Sequence, residues 1–216
     1  MQMIIPVAAR ASILSQIQVK EILSALKMHH PFVDFYPTWI KTWGDRDLKS
    51  SLKGKENTPF FTKEVDEALL KKECRIAIHS AKDLPYPLAD GLEILALTKG
   101  VDPADVLVLK SPHLDLTSPL RIGTSSERRE NMINQQYPNA RLIDIRGTIQ
   151  QRLALIEQGI VDAVVMAEAA LIRLDLTHLP RLYLGPGDLL QGRLAVVGRL
   201  KDEEMKNLFV CLDARV

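Results

Sequence analysis

Three short polar segments follow apolar, strand-like stretches, and their side chains could perform chemistry on a small anion. The first, 79–83, reads His-Ser-Ala-Lys-Asp and delivers basic groups, a hydroxyl and a carboxylate into a loop. The second, 123–129, reads Gly-Thr-Ser-Ser-Glu-Arg-Arg, and such a turn presents hydroxyls and helix N-terminal amides to an anion. The third, 144–148, is Asp-Ile-Arg-Gly-Thr. Open α/β sheets bind ligands beyond the carboxyl ends of their strands, so all three segments are candidate sites.

Every basic residue between positions 121 and 152 is an arginine. A guanidinium group grips a carboxylate or phosphate with two parallel hydrogen bonds, whereas lysine offers a point charge. The arginines therefore predict a small polyanionic ligand, held by Arg128, Arg129, Arg146 and Arg152. The competing structural explanations are a capped turn with solvated charges at 79–83 and a capped helix with surface arginines at 123–129.

The elements that must position these segments alternate between strands and helices, as in an α/β protein. The predicted strands are 3–8, 32–40, 75–79, 92–97, 106–110, 120–123, 141–145, 162–166 and 194–197. The predicted helices are 12–29, 62–72, 148–158 and two that begin near 126 and 202. Residues 46–57 predict a mobile loop that would serve as a lid. Trp39 and Trp43 are expected in the core, and Cys74 and Cys211 as buried thiols.

Composition bounds the class of protein. The chain has 216 residues, 28 basic against 27 acidic side chains and a formal net charge of +1, which favours neither nucleic acid nor a membrane surface as a partner. We find no apolar run long enough for a membrane span and no signal peptide, so a cytoplasmic protein is expected, monomeric by default. Two cysteines without a Cys/His cluster predict neither a disulfide framework nor a metal site.

Seven motifs, in order and spacing, resemble those of the porphobilinogen deaminase family, also called hydroxymethylbilane synthase. They are Arg10-Ala11-Ser12 with Gln18; Thr42-Trp43-Gly44-Asp45; Lys63-Glu64 with Ala68-Leu69-Leu70; 78–85; Gly123-Thr124-Ser125-Ser126 with Arg128-Arg129; Arg146-Gly147 with Arg152-Leu153; and Asp162-Ala163 with 171–174. The resemblance covers nearly the whole chain, which is identified on this ground as a member of the family.

The resemblance implies a fold of two lobes similar to those of periplasmic solute-binding proteins, each a mixed sheet flanked by helices, with two hinge crossings and a cleft between the lobes. The expected lobes are 1–98 plus 190–216, and 99–189, and the family's third domain is expected to be absent. Family members are transferases that join four porphobilinogen molecules head to tail, with loss of ammonia, into hydroxymethylbilane for tetrapyrrole and haem biosynthesis. They build on a dipyrromethane cofactor, bound through a cysteine of the third domain.

The resemblance also implies roles for individual residues. Asp83 matches the catalytic aspartate, whose carboxylate stabilises a transient cation and helps to move protons. The positions implied to hold the cofactor are Ser80, Lys82, Thr124, Ser126, Arg128, Arg129 and Arg146. The positions implied to hold substrate carboxylates are Arg10, Ser12, Ser125, Arg152 and Arg173.

Two departures from the family pattern leave alternatives open. The glycine-rich lid segment of the family is Glu56-Asn57-Thr58-Pro59 here, and no cysteine matches the attachment site, with Cys211 a weak substitute. One alternative is an active enzyme that holds its primer differently. The other is a catalytically impaired or non-enzymatic binding protein for pyrrole polycarboxylates. No covalent pyrrole adduct is expected. A solute-binding protein that shares only the architecture is disfavoured by the seven motifs.

Overall fold

The structure is a computed structural model that describes residues 2–47, 50, 54 and 58–215. The described chain divides into two compact units. Unit 1 comprises 2–46, 58–101 and 190–215, and unit 2 comprises 102–189 with the described residues between 47 and 56. Much of the predicted lid, 46–57, lies outside the described residues, as does most of the Glu56-Asn57-Thr58-Pro59 segment.

Unit 1 is built on a five-stranded mixed sheet with the order β2-β1-β3-β10-β4. Its strands are β1 (Met3–Arg10), β2 (Val33–Ile40), β3 (Ile76–Ser80), β4 (Leu92–Leu97) and β10 (Leu194–Arg199). β1 pairs in parallel with β2 and β3, whereas β10 runs antiparallel to β3 and β4. The carboxyl ends of the three parallel strands therefore meet at one edge.

Helices cover both faces of this sheet. The helices described in unit 1 are α1 (Ile13–Lys27), the short α2 (Trp43–Arg46) that follows β2, α3 (Lys63–Leu70) and α7 (Glu203–Phe209), of which α1, α3 and α7 pack on the sheet. α1 begins where the Ser12 hydroxyl accepts a hydrogen bond from the Ser15 N–H at 3.2 Å, as the N-cap preference of serine dictates. Val19, Ile22 and Leu26 recur at helical spacing and pack with α7 against one face. α3 packs against the other face.

Unit 2 repeats this plan with the sheet order β7-β6-β8-β5-β9. Its strands are β5 (Ala104–Leu109), β6 (Arg121–Gly123), β7 (Arg141–Ile143), β8 (Ala163–Ala167) and β9 (Arg181–Pro186). β6 is parallel to β7 and β8, and β5 is antiparallel to β8 and β9. In the described part of unit 2, the sheet is flanked by α4 (Glu127–Gln136), α5 (Ile149–Glu157) and α6 (Glu168–Arg173). Alternate residues of β5 face α4 or the α5–α6 side.

The structure confirms the predicted fold class and corrects some local predictions. Trp39 and Trp43 are 39% and 57% exposed, so the predicted core role is wrong, because β2 is an edge strand and α2 follows it directly. Cys74 is buried as predicted, but Cys211 is exposed. Among the helices of the described residues, none is both long and apolar enough to cross a membrane.

Candidate active site

In unit 1, two predicted site residues meet at the edge where the parallel strands end. Arg10 is the last residue of β1, and Asp83 lies in the 3-10 turn that follows β3. Arg10 Nη1 lies 3.8 Å from Asp83 Oδ2, and the two side chains are 25% and 30% exposed. An acidic and a basic group thus stand together at this edge, both accessible to a ligand.

Two residues that the sequence did not single out for the site hold Arg10 in place. Asp45 accepts hydrogen bonds from Nε of Arg10, at 3.3 Å, and from Nη2, and Asp45 Oδ2 also accepts from the N–H and hydroxyl of Thr42. The ring of Phe61 lies 4.4 Å from the guanidinium carbon. Burial opposes ionisation of Asp45, but its hydrogen bonds and charge interaction with Arg10 outweigh burial and lower its pKa. Arg10 is therefore fixed on two sides.

The other predicted residues of unit 1 have identifiable partners. Ser80 Oγ accepts a hydrogen bond from Gln18 Nε2 at 2.9 Å. Lys82 Nζ donates to Gln191 Oε1 at 3.2 Å. The hydroxyl of Ser12 caps α1, which is the structural role that its position before a helix allows. Ser80 and Lys82 precede Asp83 closely in the chain, so they belong to the same edge.

In unit 2, the segment 124–126 joins β6 to α4. Thr124 and Ser125 are buried, and Thr124 Oγ1 accepts a hydrogen bond from the N–H of Ser126 at 3.3 Å. Ser126 occupies the N-cap position of α4, with its carbonyl accepting from the N–H of Glu130 at 2.9 Å. The predicted combination of hydroxyls and a ten-residue helix's N-terminus is therefore present at the carboxyl end of β6.

Arg128 and Arg129 share one buried carboxylate. Asp105 of β5 is fully buried, and its Oδ1 accepts from Arg129 Nη2 at 2.7 Å and from Nε at 3.1 Å. Its Oδ2 accepts from Nη2 of Arg128. The side chain of Arg128 is 38% exposed and that of Arg129 only 11%. Both guanidinium groups therefore bind the same carboxylate, and Arg128 is the one more accessible to solvent.

The remaining arginines follow the neighbouring strands. Arg146, after β7, donates from Nη2 to the carbonyl of Asp47 at 2.8 Å and from Nη1 to that of Ser50 at 2.6 Å. Burial lowers its pKa, against the charges of Asp47 and Asp144. Arg152 Nε donates to the carbonyl of Gly147 at 3.0 Å. Arg173 is the last residue of α6, which follows β8. Because β6 and β7 are parallel neighbours, the segments after them that carry Arg128 and Arg146 begin at one edge of the sheet.

Comparison with known proteins identifies first the class of fold and then the sequence family. A probable amino-acid ABC transporter extracellular-binding protein from Bacillus subtilis has a TM-score of 0.58 at 10% identity, over 96% of this chain and 89% of that one. A TRAP periplasmic solute binding protein from Desulfovibrio salexigens has a TM-score of 0.57 at 10% identity, over 99% and 73%. The fold is therefore that of the periplasmic solute-binding proteins.

The family is narrower than the fold. The model of the family "Porphobilinogen deaminase, dipyromethane cofactor binding domain" matches residues 5–207. A probable porphobilinogen deaminase of Chlamydia pneumoniae is 40% identical over 94% of this chain and 87% of its own. The porphobilinogen deaminase of Deinococcus deserti is 37% identical over 90% of this chain and 66% of its own. The chain belongs to the porphobilinogen deaminase family, as its motifs predict. These names support an enzyme and lend no support to a binding protein without activity.

Proposed function

We propose that this chain catalyses the head-to-tail condensation of porphobilinogen into hydroxymethylbilane, with loss of ammonia. The observation that carries the proposal is the Arg10–Asp83 contact at the edge of unit 1, in a chain of this family. Porphobilinogen carries acetate and propionate groups, and its reacting carbon becomes electron-poor as ammonia leaves. A guanidinium group that binds the carboxylates and a carboxylate that faces the cation are the two groups that this chemistry requires.

Asp83 has the central role in this proposal. As the bond from the aminomethyl carbon to nitrogen breaks, the pyrrole acquires positive charge, which the Asp83 carboxylate stabilises. A new carbon–carbon bond then forms to the free α-carbon of the second pyrrole, and that carbon loses a proton. Asp83, with 30% of its side chain exposed, is accessible to accept this proton. Arg10, fixed by Asp45 and Phe61, binds a substrate carboxylate and orients the ring.

The donor groups of unit 2 fit the cofactor that the family implies. A dipyrromethane also carries carboxylate side chains, and unit 2 offers guanidinium groups, hydroxyls and a helix N-terminus at one sheet edge. The residues that would hold it there are Thr124, Ser126, Arg128, Arg129 and Arg146. When bound, the dipyrromethane supplies the pyrrole carbon to which the first substrate unit is joined. Ser125, Arg152 and Arg173 would bind substrate carboxylates at the same edge.

The test is an assay of the purified chain with porphobilinogen, following substrate consumption and uroporphyrin formed on oxidation of the product. We expect turnover, and we expect Asp83→Asn to lower kcat by about 100-fold or more because the amide neither carries charge nor accepts a proton. Asp34→Asn is the matched control, since Asp34 is a partly exposed carboxylate of the same unit that pairs with Lys27 at 3.2 Å. Absence of turnover, with or without added dipyrromethane, would refute the proposal.

A further inference from the structure

Unit 1 contains a buried histidine–aspartate pair that the proposed chemistry does not use. His79 of β3 and Asp66 of α3 place Nε2 and Oδ1 3.5 Å apart, and their side chains are 2% and 5% exposed. In the described parts of the chain, neither of these two atoms makes a hydrogen bond, either with the other or with a third group, so the pair is a close polar contact. Buried polar atoms normally have partners, since leaving them without one costs free energy. The pair therefore requires an explanation beyond packing.

Burial of the pair, together with the nearby charge of Arg10, keeps the imidazole of His79 neutral. Burial, together with the charge of Arg10, lowers the pKa of His79 to about 4. Burial raises the pKa of Asp66 to about 6, and the Thr62 hydroxyl opposes that rise. Near neutral pH the pair therefore consists of an uncharged imidazole and a carboxylate, and the imidazole adds no second positive charge next to Arg10.

The positions of the two residues along the chain connect them to the site. His79 is followed by Ser80 and the 3-10 turn that carries Asp83. Asp66 lies in the first turn of α3, directly after the 3-10 turn that supplies Phe61. Phe61 supports the Arg10 guanidinium, and Arg10 contacts Asp83. The pair thus joins the segment that carries Asp83 to the segment that supports Arg10.

We propose that His79 and Asp66 are positioning residues: by joining β3 to α3 they fix Asp83 and Phe61 on either side of Arg10. This inference rests on the proposed function for its effect on catalysis. The pair acts through the backbone of the two segments and does not touch the substrate. A misplacement of about 1 Å at a reacting centre can cost on the order of 100-fold in rate, so a link of this kind affects kcat more than substrate binding.

The kinetic test compares two substitutions of Asp66 with the same two at Asp202. Asp66→Ala removes the side chain that contacts His79 and should lower kcat at least tenfold, with KM changed less than threefold. Asp66→Asn keeps the size of the side chain and an oxygen that can face Nε2 of His79, and it should retain kcat within about threefold. Asp202, a largely buried carboxylate of the same unit, binds Arg75 and caps α7, so its Ala and Asn variants should lose stability without loss of kcat. Equal kcat in folded Asp66→Ala and wild type would overturn the proposal, as would an equal loss in Asp202→Ala.

A spectroscopic test does not depend on turnover. The Arg10 Nε–H resonance, assigned by its loss in Arg10→Lys, should shift in Asp66→Ala and stay unchanged in Asp202→Ala. His79, one of five histidines, can be assigned by its loss in His79→Gln. Its ring nitrogens should show the Nε2–H form in wild type and a changed form in Asp66→Ala. If the wild type lacks turnover, the proposed function fails, and these resonances still decide whether the pair positions Arg10. An unmoved Arg10 resonance in Asp66→Ala would refute the link.

Discussion

Removal of the charge on Asp105 is the sharpest test of how the arginines of unit 2 are held. In Asp105→Asn the side chain keeps its shape, but Arg128 and Arg129 lose the charge of a carboxylate that both of them bind. Arg129 is buried beside it, so the substitution removes a buried counter-charge from this guanidinium group. Without a neutralising carboxylate the two arginines also repel each other.

The magnitude follows from burial. Breaking a buried ion pair by removing one partner costs about 3–5 kcal/mol. The side chain of Arg128 is 38% exposed, so water screens its attraction to Asp105. Most of the lost stability therefore comes from the contact of Asp105 with Arg129. We therefore expect the free energy of unfolding to fall by about 3 kcal/mol. Asp162→Asn is the matched control, because Asp162 also binds an arginine with two side-chain hydrogen bonds, but Arg121 is 41% exposed. Its cost should be about 1 kcal/mol or less.

Urea titration of wild type and both variants, followed by circular dichroism, measures the difference. The slope of the free energy against urea should be the same in all three, so that the midpoints report stability alone. Binding of a dicarboxylate pyrrole measured by calorimetry should weaken in Asp105→Asn, because Arg128 is no longer oriented. Equal destabilisation by Asp105→Asn and Asp162→Asn would show that burial of Asp105 is not what makes its contacts strong.

Three further predictions concern pH, backbone conformation and Arg10. In urea titrations, the free energy of unfolding of Asp66→Asn should rise between pH 4 and 6.5. Burial lowers the pKa of His79 to about 4, so in this pH range the His79 imidazole binds a proton only in the unfolded chain. For His79→Gln, the free energy of unfolding should instead fall between pH 3.8 and 6. Burial raises the pKa of Asp66 to about 6, so in this pH range the Asp66 carboxyl binds a proton only in the folded chain. Parallel pH profiles of the two variants would contradict both predictions. Gly147→Ala should lower Tm more than Gly159→Ala. Both glycines have positive φ, but of the two only Gly147, with φ of 102°, has a neighbour that an added Cβ would meet, Gln151 Oε1 at 2.5 Å. Asp45→Asn should lower kcat/KM about tenfold by releasing Arg10, with Asp34→Asn unchanged.

Local chemistry predicts much of the fold. The Ser12 cap and the helical spacing after it predict the position of α1. The run of leucines and isoleucine in β4 predicts the bounds that the structure has, Leu92–Leu97. β9 was not predicted, because Arg181–Pro186 ends in Gly-Pro, which is typical of a turn. Pro186 is tolerated there since β9 is an edge strand, and the position of a strand within a sheet is a tertiary property. The exposure of Trp39 escaped prediction for the same reason.

The candidate site also contains residues that the sequence predicts and residues that it does not. The arginine-only stretch and the polar strand ends indicate which groups a polyanion would meet, and Asp83 follows an apolar strand in the sequence. The supporting residues are different, because they are brought to the site by folding alone. Asp45 lies 35 residues from Arg10, and Asp105 lies 24 from Arg129. Of these two supporting residues, only Asp45 lies in a motif that the sequence analysis noted, 42–45, and the motif gave Asp45 no role. His79 was visible, but its partner Asp66 on another element was not.

The strand order of unit 1 sets a sequence of events during synthesis. β10 lies between β3 and β4, yet it is made about a hundred residues after them, when all of unit 2 has been translated. Unit 2 completes its sheet with β9, so it has every strand it needs before unit 1 does. Until β10 emerges from the ribosome, β3 and β4 each present an open edge, which is the feature that invites intermolecular pairing. The nascent chain is therefore vulnerable to intermolecular pairing at β3 and β4 until β10 is made.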